Sequence, residues 1–193
     1  MTATATLNLG LALVHAPVIN RRGETIGSAV TNLDLHDIAR AGKTYGVDTF
    51  WVVTPYQEQQ ELVGQIVGHW TDGHGSKAAS DRAHALSIVR ICADLEEVIE
   101  QAEHQYGRRP LVLATAATPR ANPLQYRQVR QRLWAGEPLL LLFGTAWGLA
   151  PQALELADAS LPPIQGNSEF NHLSVRSAVS IILDRLLALE VEQ

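Results

Sequence analysis

The sequence holds one cysteine, Cys92, one methionine and only two lysines, and no apolar run approaches the roughly twenty residues of a membrane span. A lone cysteine closes no internal disulfide. With no apolar leader behind a charged start, that scarcity points to a reducing, cytoplasmic setting and away from secretion. There is no basic excess either: the formal charge of −5 argues against bulk electrostatic coating of nucleic acid. No fixed-period repeat, low-complexity tract or linker divides the chain, which predicts one domain over residues 1–193. What is present is an ordinary globular composition, 46% apolar and 18% charged over 193 residues. A chain of this length buries roughly two thirds of its unfolded surface and needs no metal or disulfide staple.

The charge is unevenly placed. Between His104 and Gly136 lie Arg108, Arg109, Arg120, Arg127, Arg130 and Arg132 with no acid, whereas Asp94 to Glu103 carries five acids and no base. Thirteen of the fifteen basic residues are arginine, the side chain that pairs phosphate bidentately and stacks on bases. A local phosphate-facing patch and a solvated helix face both fit that pattern.

Short apolar runs at Leu9 to Val14, Phe50 to Val53, Leu111 to Thr115 and Leu139 to Phe143 read as buried strands. Helical spacing predicts helices over Asn32 to Tyr45, Gln57 to Trp70, Leu95 to Tyr106 and Pro123 to Trp134, with Asp81 to Ile91 a helix entering a strand. Gly46 and Gly107 stand as stops. Thr71 to Ser80 is small, polar and glycine-bearing, and reads as a loop. The last helix, Leu173 to about Leu189, is apolar around most of its circumference, so it must bury more than one face or form a subunit interface. Strands apolar on both faces alternating with helices give an α/β fold, a mostly parallel sheet flanked by helices. Trp51, Trp70 and Trp134 are expected in the core, and Cys92 as a small buried apolar residue.

Ligands of open α/β sheets bind beyond the C-terminal strand ends. Three loops follow such ends: Thr115 to Arg120, Phe143 to Leu149 and Leu161 to Asn171. In the second, Gly144 and Gly148 allow a ligand to approach the backbone, and Pro151 suits a helix start. No lysine follows the glycines, and they do not follow the first strand, so neither a phosphate loop nor the dinucleotide fingerprint is present. The histidines have no metal-ligand spacing, and no metal is expected.

The order Leu-Leu-Phe-Gly-Thr-Ala-Trp-Gly-Leu (141–149), Leu-Pro-Pro-Ile (161–164) and Asn-His-Leu-Ser-Val-Arg-Ser-Ala (171–178) resembles the C-terminal signature of the SPOUT superfamily of RNA methyltransferases. Val30 to Arg40 and Tyr45-Gly-Val likewise resemble the first helix of a stand-alone bacterial family similar to the catalytic half of tRNA guanine-N1 methyltransferase. The resemblance implies a C-terminal deep trefoil knot over about residues 111–193, a homodimer, S-adenosylmethionine as methyl donor and a structured RNA, tRNA or rRNA, as acceptor. It implies a donor pocket of Thr115, Ala116, Phe143, Gly144, Gly148, Leu149, Ile164, Asn171, Leu173 and Ser174. Arg40, Glu169 and Arg120 are the candidate catalytic residues, and Lys77, Arg82, Arg127 and Arg130 the candidate RNA contacts. Asp34 stands where ribose-methylating members show asparagine, which favours a base nitrogen such as guanine N1. A donor-binding protein that keeps the knot without transferring methyl is the alternative.

Overall fold

The computed structural model describes residues 7–72 and 80–189. Eight strands and seven helices alternate along them. In chain order they are β1 (Leu9–Val14), β2 (Val18–Ile19), β3 (Thr25–Ile26), α1 (Asn32–Thr44), β4 (Thr49–Val53), α2 (Gln57–Thr71), α3 (Ser80–Leu86), β5 (Val89–Cys92), α4 (Leu95–Tyr106), β6 (Leu111–Ala114), α5 (Tyr126–Trp134), β7 (Leu139–Gly144), α6 (Pro151–Glu155), β8 (Ala159–Ser160) and α7 (Val175–Leu187).

Six strands form one parallel sheet in the order β5-β4-β1-β7-β6-β8. Period-two alternation sorts its side chains into two layers. Leu139, Leu141 and Phe143 of β7 face a core shared with Ile38 of α1, Leu133 of α5 and Leu183 of α7, while Leu140 and Leu142 face Val98 of α4 and Ala153 of α6. All four β7 leucines are fully buried, each stabilising by about 2 kcal/mol relative to exposure. Gly10, mid-strand in β1, leaves the room that the Trp51 ring occupies: a Cβ there would lie 2.4 Å from it.

Local chemistry sets the helix ends. Thr31 caps α1 by accepting from the Asp34 amide, Asp94 caps α4 by accepting from Glu97, and Gly107 ends α4 at φ +73°. Two expected helices start later than the sequence suggests. The Leu124 amide donates to Ser160 O (2.9 Å), which holds residues 123–124 beside β8 and delays α5 to Tyr126. Ser174 acts as the cap of α7, so that helix begins at Val175 and leaves Leu173 outside it. Trp51 and Cys92 are buried as expected, but Trp134, the last residue of α5, is 44% exposed. Among the described residues no helix is long and apolar enough to cross a membrane.

Candidate active site

After β1 the chain proceeds to β4 and β5 on one side of the sheet; its later half then builds β6, β7 and β8 on the other. The reversal falls between β1 and β7, and a crevice at such a point beyond the strand ends is where α/β sheets take ligands. The loops after β7, β6 and β8 all lie on this edge.

The β7 loop is stapled to the β2–β3 hairpin. Ile19 N donates to Gly148 O (2.9 Å), Trp147 N to Ile19 O (3.1 Å) and Ala150 N to Pro17 O (3.2 Å). Gly148 N closes the turn on Thr145 O (2.9 Å), and Gly148 itself sits at φ +111°, where a side chain would be strained. Gly144 has a different reason: a Cβ there would lie 2.5 Å from Leu149 N and 2.7 Å from the Gly148 carbonyl carbon. The glycine therefore permits the loop's own backbone to pass. Most backbone polar groups expected to be open to a ligand are already paired; the Ala146 amide makes no hydrogen bond among the described residues.

Beneath this loop lies a buried polar chain that sequence reasoning missed. His15, at the end of β1, is fully buried, with Nδ1 3.1 Å from Ser28 Oγ, which lies 2.5 Å from Thr145 Oγ1. Thr145 Oγ1 donates to Val14 O (3.0 Å), so its lone pair must accept from Ser28. That leaves His15 donating through Nδ1 and its Nε2 buried without a partner. Burial lowers the His15 pKa to about 4, against a smaller opposing pull from the Asp34 carboxylate and the Ala29 carbonyl, so the ring is neutral at pH 7. The only sequence signal was a histidine ending an apolar run.

The other two loops are tied more lightly. Thr115 N and Oγ1 both donate to Leu142 O (3.0 and 2.9 Å), and Asn171 Nδ2 reaches from the third loop to Ala117 O of the first (3.1 Å). Thr115, Ala116 and Ile164 are half-buried, while Phe143 and Leu149 are buried in the core and offer a ligand chiefly their backbone. Leu173 is exposed, and Ser174 Oγ is engaged with Ser177.

Arg120 and Glu169 are exposed on these loops and form no ion pair among the described residues. Arg40 lies elsewhere, in a groove of about 530 Å³ between α1 and α7 lined also by Asp37, Thr44, Arg176 and Ser180. There Arg176 bridges Asp34 (3.1 Å) and Asp37 (3.4 Å), and Asp34 also accepts from Thr31 Oγ1 (2.6 Å). Asp34 is thus held in a structural set and is not open as a base.

The arginine segment is largely satisfied internally. Arg109 pairs with Asp158, Arg132 with Glu137, Arg108 donates to Gly136 O, and Arg130 donates to Ala188 O at the end of α7. Arg127 remains exposed. Arg82 stacks on Trp70 at 4.4 Å, and Lys77 lies outside the described residues. No group of three or more metal-ligating side chains occurs among the described residues.

A parallel sheet with three loops gathered beside its reversal point defines an α/β domain of the class that takes a ligand beyond its C-terminal strand ends. Its fold matches a putative methylase family protein from Neisseria gonorrhoeae (TM-score 0.62, 17% identity, 100% of this chain and 90% of that one). It also matches the TrmH/SpoU tRNA modifying enzyme of A. aeolicus (TM-score 0.58, 14% identity, 93% and 74%). The family model described as SAM-dependent RNA methyltransferase matches residues 8–188, and the chain belongs to that family. A tRNA (guanine-N(1)-)-methyltransferase of Oleidesulfovibrio alaskensis is 45% identical over 180 residues, 93% of this chain and 42% of that protein. An uncharacterized protein of Aquifex aeolicus is 37% identical over 94% of this chain and 89% of its own length. The chain thus spans less than half of the first relative and nearly all of the second.

Proposed function

We propose that the protein transfers the methyl group of S-adenosylmethionine to a base nitrogen, such as guanine N1, in a structured tRNA or rRNA, acting as a cytoplasmic homodimer. The observation that carries this is the convergence of three loops beside the β1/β7 reversal, cross-tied by Asn171 to Ala117 and by Thr145 to β1. The residues suit a bent nucleoside-bearing sulfonium. Half-buried Thr115, Ala116, Gly144 and Ile164 offer apolar and backbone surface, and the Ala146 amide makes no hydrogen bond among the described residues. Gly148, Leu149, Phe143, Asn171, Leu173 and Ser174 complete that pocket.

The bound donor supplies an activated methyl group. What the chain's own residues must do is align the acceptor nitrogen at about 3 to 3.5 Å and accept the proton that a ring N–H loses. Glu169 is the base in this reading, because Asp34 is tied to Arg176 and Thr31 while His15 is sealed in the core. Arg120 takes the donor's carboxylate or an RNA phosphate. Arg40 acts from the α1/α7 groove, whose half-buried Ile181 favours a second copy as its cover. Arg82, Lys77 and Arg127 supply RNA contacts; Arg130, bonded to Ala188 O, contributes more to holding α7 than to RNA. Insertion of β7 between β1 and β6, with β8 beyond β6, supports a threaded knot over about residues 111–193.

The test is calorimetric titration with S-adenosylmethionine and its demethylated product, followed by transfer of labelled methyl to unmodified tRNA and rRNA. Micromolar, one-per-subunit binding with 1-methylguanine among the digested nucleosides is expected, and Glu169→Gln should lower turnover about a hundredfold without weakening donor binding. Stoichiometric donor binding never consumed with any RNA would replace this reading by the non-catalytic one.

A further inference from the structure

The edge that carries the three loops also carries aromatic side chains that the fold does not use. Trp147 is 54% exposed and Phe170 is 76% exposed, and His172 lies between them, its ring 6.0 Å from the indole and 5.4 Å from the phenyl ring. Trp147 is anchored through its amide to Ile19 O, so the loop is held whatever the indole does. The guanidinium of Arg21, in the β2–β3 turn, sits 5.9 Å from the indole centroid, and exposed Arg22 follows it. Two acids are close in the chain. Glu24 is held by Asn20 at 2.6 Å, and Glu169 directly precedes Phe170.

We infer that Trp147, His172 and Phe170 form a stacking platform for one unpaired nucleobase of the RNA substrate, with Arg21 and Arg22 taking the adjoining phosphates. This rests on the proposed function. A paired base cannot present a Watson–Crick ring nitrogen such as guanine N1 to a methyl donor and must leave the stack, and restacking on aromatic side chains offsets that cost. Arginine beside an aromatic face matches a nucleotide, which carries a π-face and an anion together. An acid at the rim matches a base edge that displays adjacent N–H donors, as guanine does with N1–H and its exocyclic amine. An exposed apolar cluster rimmed by arginine on the ligand edge is thus better matched to a nucleobase than to an apolar protein surface.

The test uses the full chain, an unmodified tRNA transcript and a fully paired RNA of equal length, with S-adenosylmethionine titrated in parallel. Trp147→Ala and Phe170→Ala are each expected to weaken transcript binding about tenfold or more, as loss of one stacked base requires. Trp147→Phe should stay within threefold of the parent, duplex affinity should be unchanged in all variants, and donor affinity within twofold. Phe170→Ala decides the matter if Trp147→Ala also disturbs the donor loop. Parental transcript affinity in Phe170→Ala, with donor binding intact, would overturn the platform while leaving the methyltransferase reading in place. So would conversion of a dimer to monomers at unchanged RNA affinity, since a second copy would then cover the patch. A parent protein that binds neither donor nor RNA would overturn both.

Discussion

The loop after β7 and the loop from Leu161 to Ser174 serve one edge of the sheet but are built in opposite ways. In the first, Thr145, Trp147, Gly148 and Ala150 all place their amides in hydrogen bonds, two of them to the β2–β3 hairpin side, and a buried histidine braces it from below. In the second, Pro162 and Pro163 stiffen the start, and the stretch from Gln165 to Phe170 is exposed. Between Leu161 N, which donates to Ala114 O (2.9 Å), and the Ser174 cap of α7, its ties are Tyr126 Oη to Pro162 O (3.1 Å), a local bond within Ser168–Phe170, and Asn171 to Ala117. In the proposed site one loop would serve as a fixed jig for the ligand, and the other, with fewer ties, would adjust to it.

Three perturbations sharpen that contrast. The largest effect is expected at Gly144: Gly144→Ala drives a methyl into the backbone of Gly148 and Leu149, which cannot yield without breaking the staples. It should cost about 3 kcal/mol by overpacking and abolish donor binding, read by denaturant unfolding and calorimetry. A fully stable variant that still binds donor would show that the jig is soft.

Comparable in size but graded is the response to acid. His15 has a folded pKa of about 4, below its ordinary 6.5, so the unfolded chain takes up the proton first as pH falls. Its contribution is complete above about pH 6.5 and is lost between there and pH 4, about 3 kcal/mol in all. Replacing His15 by Gln should remove this segment of the stability–pH curve. An unchanged curve in the variant would place the acid sensitivity elsewhere.

The smallest effect belongs to the adjustable loop. Asn171→Ala removes one exposed hydrogen bond and should cost no more than about 1 kcal/mol in unfolding, while raising the KM for donor severalfold. A stability loss equal to that of Gly144→Ala would erase the distinction between the loops.

The comparison also marks what a sequence can disclose. Apolar runs such as Leu139 to Phe143 and caps such as Asp94 act within a few residues, so the large strands and most helices were legible. The hairpin strands Val18–Ile19 and Thr25–Ile26 and the edge strand Ala159–Ser160 hold two residues each, too few for any period. Arg109 meets Asp158 across 49 positions and Arg130 meets Ala188 across 58, so a run that read as one positive patch is mostly paired internally. At Gly144 the sequence suggests room for a ligand, and the structure adds a second reason for the glycine, since the atoms nearest its missing Cβ belong to its own loop. His15 gained its meaning only when Ser28 and Thr145, 117 positions apart, closed over it.

The central strand pair has a consequence for how the chain is made. Leu9 of β1 lies opposite Leu139 of β7, so one edge of the first strand waits through the synthesis of some 130 further residues before its partner exists. At about 5 to 20 residues per second, that is several seconds or more in which an entirely apolar edge emerges from the ribosome unpaired. Such an edge is a template for pairing with other nascent chains, and a partly assembled sheet must then admit β7 between two strands already laid down. Slow, long-range closure of this kind makes yield depend on early protection of β1, and a lower growth temperature or a holding chaperone should raise the fraction recovered folded.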